Sequence, residues 1–185
     1  MIYPIVLFGD PVLKRKAQSI EEGAIDLDQL IEDMFETMDA ANGVGLAAPQ
    51  IGMSIRLFVV DTEPIVEDDE EGVRTAFINP EIVEETGEEW KFEEGCLSIP
   101  GVREEVERPE TVRIKYQDQD WNWKEIEVDG MLARVIQHEY DHIEGILFTD
   151  HISPLKRKLL KKRLENISKG KASADYRVRV PSPRR

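Results

Sequence analysis

The sequence predicts an α+β fold, with its strands gathered in one stretch of chain and helices on either side. Three observations carry that expectation. Strand-forming runs cluster between residues 56 and 130, an amphipathic helical stretch precedes them, and two more helical stretches follow. At 185 residues and 41% hydrophobic content, the chain can build one packed domain. That domain is assigned to residues 1–168, its last helix to 153–168, and a basic, flexible tail to 169–185.

The first helix is expected over residues 26–41, "DLDQLIEDMFETMDAA", where Leu27, Leu30, Ile31, Met34 and Met38 recur at helical spacing. Asp26 offers an N-cap oxygen, and Asn42-Gly43 and Gly45 in "ANGVG" end the helix. Strands follow at "RLFVVD" (56–61), "TAFINPEIVEE" (75–85), "TVRIKYQD" (111–118) and "NWKEIEVDG" (122–130), all rich in β-branched or aromatic residues. "EPIVEDDEEGV", between the first two, reads as a solvated acidic loop or hairpin tip. The second helix is expected to start near Asp129-Gly130, run past His142 and stop at Gly145. The third occupies "SPLKRKLLKKRLENI", with Ser153 as N-cap and Pro154 in the first turn. Leu155, Leu159, Leu160, Leu164 and Ile167 form its apolar side. What remains, "SKGKASADYRVRVPSPRR", reads as a mobile tail or a late edge segment.

Charge is divided between these parts. Residues 1–150 carry 12 Lys/Arg against 36 Asp/Glu, a net of −24, while residues 151–185 carry 12 against 2, a net of +10. The acidic body repels a polyanion such as DNA, and the basic end can attract one or simply form the wet face of a terminal helix. No apolar run approaches the ~20 residues that span a bilayer, and the apolar start lacks a basic n-region. The single cysteine, Cys96, suits a reducing compartment. The expected setting is cytoplasmic, a bacterial-type cytoplasm or an organelle matrix.

Chemistry concentrates on the second helix, in "RVIQHEYDHIEGILF". His138 and His142 stand four apart and so share a helix face one turn apart, within reach of one ion. Glu139 lies roughly 100° around the helix, where a carboxylate can serve a metal-activated water without binding the metal. The bland alternative is two surface histidines on an amphipathic helix. A catalytic site needs a third ligand, and the metzincin continuation fails because Phe148 stands where its histidine belongs. A thermolysin-like site would need Glu165, which reads better as an i−4 partner of Lys161. Cys96 in "EEGCLSIPG" remains, either a buried apolar residue or a thiolate ligand presented by a loop.

A third stretch, "NGVGLAAPQIG" (42–52), changes the weight of these signals. With it the chain resembles the peptide deformylase family over about residues 3–165, through "GVGLAAPQ" (43–50), "EGCLS" (94–98) and "QHEYDH" (137–142) in that order. The resemblance implies mixed or antiparallel β-sheets packed around a central metal-binding helix, with a C-terminal helix. It implies hydrolysis of the N-formyl group from the formylmethionine of new polypeptides, with water as nucleophile. Cys96, His138 and His142 would hold one divalent metal, Fe²⁺ in the cell with Zn²⁺, Ni²⁺ or Co²⁺ possible in preparations. Glu139 would act as general base and then acid, and the Gln50 amide and Leu97 backbone N–H as oxyanion donors. Gly45 would let the substrate main chain lie close.

Positions 131, 134 and 135 lie one to two turns before His138, close to the same face, so Met131 and Val135 are expected to line a methionine pocket along with Val44. Arg103, seven beyond Cys96, is expected to contact the peptide backbone. Asp141 reads as an orienting carboxylate or a salt-bridge partner, and the resemblance implies that Glu94 braces the cysteine loop through Arg108. The basic segment 151–185 suggests docking on the ribosome. Two other functions compete: a zincin-type peptidase, and a structural metal protein or ribosome-binding module without catalysis. A structural site has no need of Glu139 or Gln50.

Overall fold

A computed structural model describes residues 1–67 and 71–182 of the chain. Three of the eleven residues read as an acidic loop, 68–70, lie outside the described residues. The elements run β1 (Ile5–Val6), α1 (Leu27–Ala40), β2 (Gly45–Ala47), β3 (Leu57–Asp61), β4 (Arg74–Gly95), β5 (Arg103–Gln117), β6 (Trp123–Val128), α2 (Gly130–Glu144), α3 (Pro154–Ser168) and β7 (Val178–Arg179). The strands β2-β3-β4-β5-β6 form one antiparallel sheet, and β1 and β7 pair in parallel. This is the expected α+β class.

The position of each layer follows from strand periodicity. Side chains of a strand alternate between faces, so "LFVV" splits two ways. Leu57 and Val59 pack with Leu30, Ile31, Met34 and Met38 of α1. Phe58 and Val60 pack with Ala133, Val135, Ile136 and Ile143 of α2. Because β3 is covered on both sides, its sequence is a continuous apolar run instead of an alternating one. Helix α2 is thereby held against the sheet along most of its length.

Local signals set the helix ends. The Asp26 carboxylate accepts from the Gln29 N–H at 3.2 Å, and the Ser153 hydroxyl from the Lys156 N–H at 3.3 Å, both as N-caps. Gly145 closes α2 in the left-handed conformation with φ 77°.

Four readings need correction. The strand expected over 75–85 is the first half of a 22-residue strand, and the one expected over 111–118 is the end of a 15-residue strand that stops at Gln117. Register shifts between Ile78 and Glu81, Ile82 and Glu84, and Thr86 and Glu89 let this charged ribbon bend while it stays paired. In α3, Leu155 and Leu159 are 68% and 76% exposed, and only Leu164 and Ile167 are buried. The packing stripe runs through Lys156, Leu160, Leu164 and Ile167, spaced i, i+4, i+8 and i+11, and Leu155 and Leu159 lie off it. Lys156 anchors the stripe's start by an ion pair to Glu104 at 2.9 Å. Among the described residues Glu165 makes no ion pair with Lys161; its carbonyl accepts from the Ser168 hydroxyl. Lastly, the flexible-tail reading of 169–185 gives way over residues 176–179 to the edge-segment alternative. Ile5 and Leu7 donate there to the Arg177 and Arg179 carbonyls at 2.8 and 3.0 Å. Residues 183–185 lie outside the described residues.

Candidate metal centre and active site

Cys96 follows directly on the end of β4, and α2 brings His138 and His142 against it. The Cys96, His138 and His142 ligand atoms all lie within 4.8 Å of one another. Cys96 Sγ and His142 Nε2 are 3.4 Å apart. A tetrahedral ion with ordinary bond lengths sets its ligand atoms roughly 3.5 Å apart, so the trio fits one. The donor set, one soft thiolate and two imidazoles, suits zinc, ferrous iron, cobalt or nickel.

His138 is oriented from behind. Its Nδ1 lies 2.9 Å from Glu94 Oε2, which turns Nε2 toward the thiol. Arg108 holds Glu94 in a fork, at 2.7 and 3.1 Å, and Arg134 reaches the same carboxylate at 3.0 Å. Burial pushes Glu94 up, but the hydrogen bonds from His138 and Arg108 outweigh it and hold the carboxyl far below its usual range. Arg108 also reaches Asp141 at 2.8 Å, and Asp141 meets His151 at 2.7 Å. The expected Glu94–Arg108 brace is therefore present within a larger network. Phe148, the residue that broke the metzincin pattern, is buried and stacks beside the His138 ring with centroids 6.3 Å apart.

Glu139 is buried, and its Oε2 has no hydrogen-bond partner among the described residues. Burial raises its pKa to about 7, with neighbouring His138 opposing. A carboxylate poised there can take and return a proton near neutral pH. A Cβ on Gly45 would fall 2.8 Å from the Glu139 carboxyl carbon, so glycine is needed for the carboxylate to fit.

Gln50 is turned toward the thiol by the backbone. The Ala47 N–H can only donate, and it donates to Gln50 Oε1 at 2.9 Å. That fixes the amide, leaving Nε2 3.5 Å from Cys96 Sγ and 3.4 Å from Ser98 Oγ. Among the described residues the Leu97 N–H donates to no backbone carbonyl.

One cavity of about 820 Å³ gathers Val44, Gly45, Gln50, Cys96, Leu97, Arg103, Met131, Val135, His138 and Glu139. His142 sits behind it, 1% exposed. Arg103 is at the rim, its side chain 58% exposed and paired with Glu93 at 3.0 Å. Arg134, Ser98 and Tyr176 have no role in the sequence-based expectations, although position 134 lies near the face of His138 and Ser98 ends the "EGCLS" motif. Arg134 had a signal, since it precedes His138 by four on the same helix. Tyr176 had none, because its place depends on where the last strand docks.

The geometry agrees with what the chain is similar to. The profile of the polypeptide deformylase family matches residues 2–158. A peptide deformylase of Cytophaga hutchinsonii is 59% identical over 98% of each chain. The crystal structure of a peptide deformylase from Legionella pneumophila superposes with TM-score 0.79 at 44% identity, covering 91% of this chain and 96% of that one. One from Synechococcus elongatus, in complex with actinonin, does so with TM-score 0.79 at 40% identity, covering 96% and 92%. With a family match over most of its length and relatives this near, the chain belongs to the peptide deformylase family.

Proposed function

We propose that this chain hydrolyses the N-formyl group from the formylmethionine at the start of newly made polypeptides, releasing formate. One observation supports it above the others: an amide donor with a fixed orientation, Gln50 Nε2, faces a three-ligand metal cluster beside a buried, unpartnered carboxylate. A structural metal site has no use for that arrangement as a whole, and the metzincin form of a peptidase lacks its third histidine, since Phe148 stands there.

Cys96, His138 and His142 would hold one divalent ion. When bound, the ion supplies Lewis acidity, which lowers the pKa of a water and polarises a carbonyl. Glu139 takes the proton of the attacking water, whose oxygen bonds to the formyl carbon. As the carbonyl oxygen gains charge, Gln50 Nε2 and the Leu97 N–H donate to it; losing one such donor costs ~3 kcal/mol of barrier. Glu139 then passes its proton to the amine as the C–N bond breaks, leaving formate and a free methionine amino group. Val44, Met131 and Val135 give the cavity an apolar side for the methionine side chain, and Arg103 at the rim reaches the peptide main chain. Gly45 serves twice in this reading, admitting both Glu139 and the substrate backbone.

The metal in the cell is ferrous iron in this account, with zinc, nickel or cobalt accepted in preparations, and the setting is cytoplasmic. No helix of the described residues is long and apolar enough to cross a membrane. The basic segment 151–185 docks on the ribosome, where new chains emerge. The exposed positions Lys158, Lys161 and Lys162 on α3 make that testable without disturbing Leu164 or Ile167. Reversing those three charges should weaken salt-sensitive ribosome binding; unchanged co-pelleting would count against docking. The function itself is tested with formyl-Met-Ala-Ser. Metal-loaded wild type should release formate, and Glu139→Ala should be slower by roughly 10² to 10⁴. Folded, metal-loaded wild type that releases none would refute the reading.

A further inference from the structure

The turn that carries Leu97 is fixed through three successive carbonyls. The Cys96 carbonyl accepts from the Ile99 N–H at 2.9 Å, and the Ser98 carbonyl from the Phe8 N–H at 2.8 Å. The Leu97 carbonyl, between them, accepts from the Tyr176 hydroxyl at 2.7 Å. A carbonyl only accepts, so the hydroxyl is the donor. Burial, with Cys96 and Asp175 nearby, pushes its pKa up to about 12, and it keeps its proton throughout the working range.

Tyr176 comes from the far end of the chain, and the body is shaped to receive that end. Strand β7 pairs Val178 and Arg179 with Ile5 and Val6. A Cβ on Gly52, close after Gln50, would lie 2.9 Å from the Arg179 guanidinium carbon, so the glycine clears a lane for the strand. Ser173, Ala174 and Tyr176 border the same cavity as Gln50 and Glu139.

We infer that Tyr176 is a positioning residue: by holding the Leu97 carbonyl it sets the direction of the Leu97 N–H, the backbone donor to the oxyanion. The inference rests on the deformylase reading. The two peptide planes flanking Leu97 share its φ and ψ, so releasing one lets the other swing. A donor that must reorganise during reaction loses much of its value. The C-terminal strand thus belongs to the site, although it supplies no ligand and no proton.

The test compares wild type, Tyr176→Phe and Arg177→Ala with formyl-Met-Ala-Ser, together with amide exchange at Ile99. Arg177 holds the same strand by donating to the Ile2 carbonyl at 3.1 Å, and it does not touch the Leu97 turn. Tyr176→Phe should lower kcat on the order of tenfold, short of the 10² to 10³ seen when a donor is removed outright, with KM within about twofold. Ile99 exchange should quicken, and Arg177→Ala should keep the wild-type kcat. A Tyr176→Phe kcat within twofold of an active wild type would overturn this inference alone, as would an equal loss in Arg177→Ala. An inactive wild type would overturn the deformylase reading and this inference with it.

Discussion

Helices α2 and α3 are each 15 residues long, and both look amphipathic in sequence, yet they occupy opposite extremes of the fold. In α2 eight residues are buried, four of them polar or charged: Arg134, Gln137, Glu139 and His142. In α3 only Leu164 and Ile167 are buried, while Leu155 and Leu159 face outward. Polar groups in a protein interior are costly unless partnered. Arg134 is partnered by Glu94 and Gln137 by Glu85 and the Pro109 carbonyl, while Glu139 Oε2 and His142 Nδ1 have no partner among the described residues. Burying those groups costs α2 stability, whereas α3 leaves its charges in water.

The contrast can be broken most forcefully at Glu94. Glu94→Ala leaves Arg108 and Arg134 buried without their carboxylate and frees His138. It should cost about 3–5 kcal/mol in denaturant unfolding and reduce metal affinity about 10–100-fold by competition with a chelator. Normal stability and metal binding would show that the network is ornamental. Next in size, Leu164→Ala should cost about 2–4 kcal/mol, because the few buried residues of α3 carry its attachment. Smaller still is the pair of ion contacts that Glu144 makes, to Arg56 at 2.6 Å and Lys16 at 2.9 Å. Burial pushes the Glu144 pKa up, but these partners outweigh it and the net shift is downward. A depressed carboxylate stabilises the fold above its unfolded pKa, about 4.5, and the contribution disappears as pH falls through the lower folded value. Glu144→Gln should therefore lower stability by about 1 kcal/mol at pH 7, and the gap should close as the pH falls through the lowered folded pKa. A gap unchanged by acid would mean that the charge is not what matters. The least effect is expected from Leu159→Ala, within about 0.5 kcal/mol, since that side chain touches little.

How much of this was legible in the sequence follows the same division. Helix ends were readable because Asp26, Ser153 and Gly145 act within one turn of where they stand. The motif residues were readable too, since four-residue spacing fixes a shared helix face before any tertiary contact forms. Interactions between distant segments were harder. The length of β4 was hidden because "TGEEWKFEEG" is mostly charged and has only Trp90 and Phe92 as apolar side chains, so its extended state rests on its pairing with β5. The apolar side of α3 was misjudged since leucine count alone does not say which stripe meets the body, and Lys156 lies on that stripe. Gly45 was read for the substrate's sake, and the nearness of Glu139 became visible only once β2 and α2 met. Residues 176–179 depended on a parallel pairing with the start of the chain, which leaves no local signature.

The account stands most directly on formate release from formyl-Met-Ala-Ser by protein loaded without oxygen with Fe²⁺, read against the same protein loaded with Zn²⁺. Both forms should turn over, the ferrous form faster, and Glu139→Ala should abolish most of the activity in each. Formate release that is absent from both metal-loaded forms, or undiminished in Glu139→Ala, would contradict it.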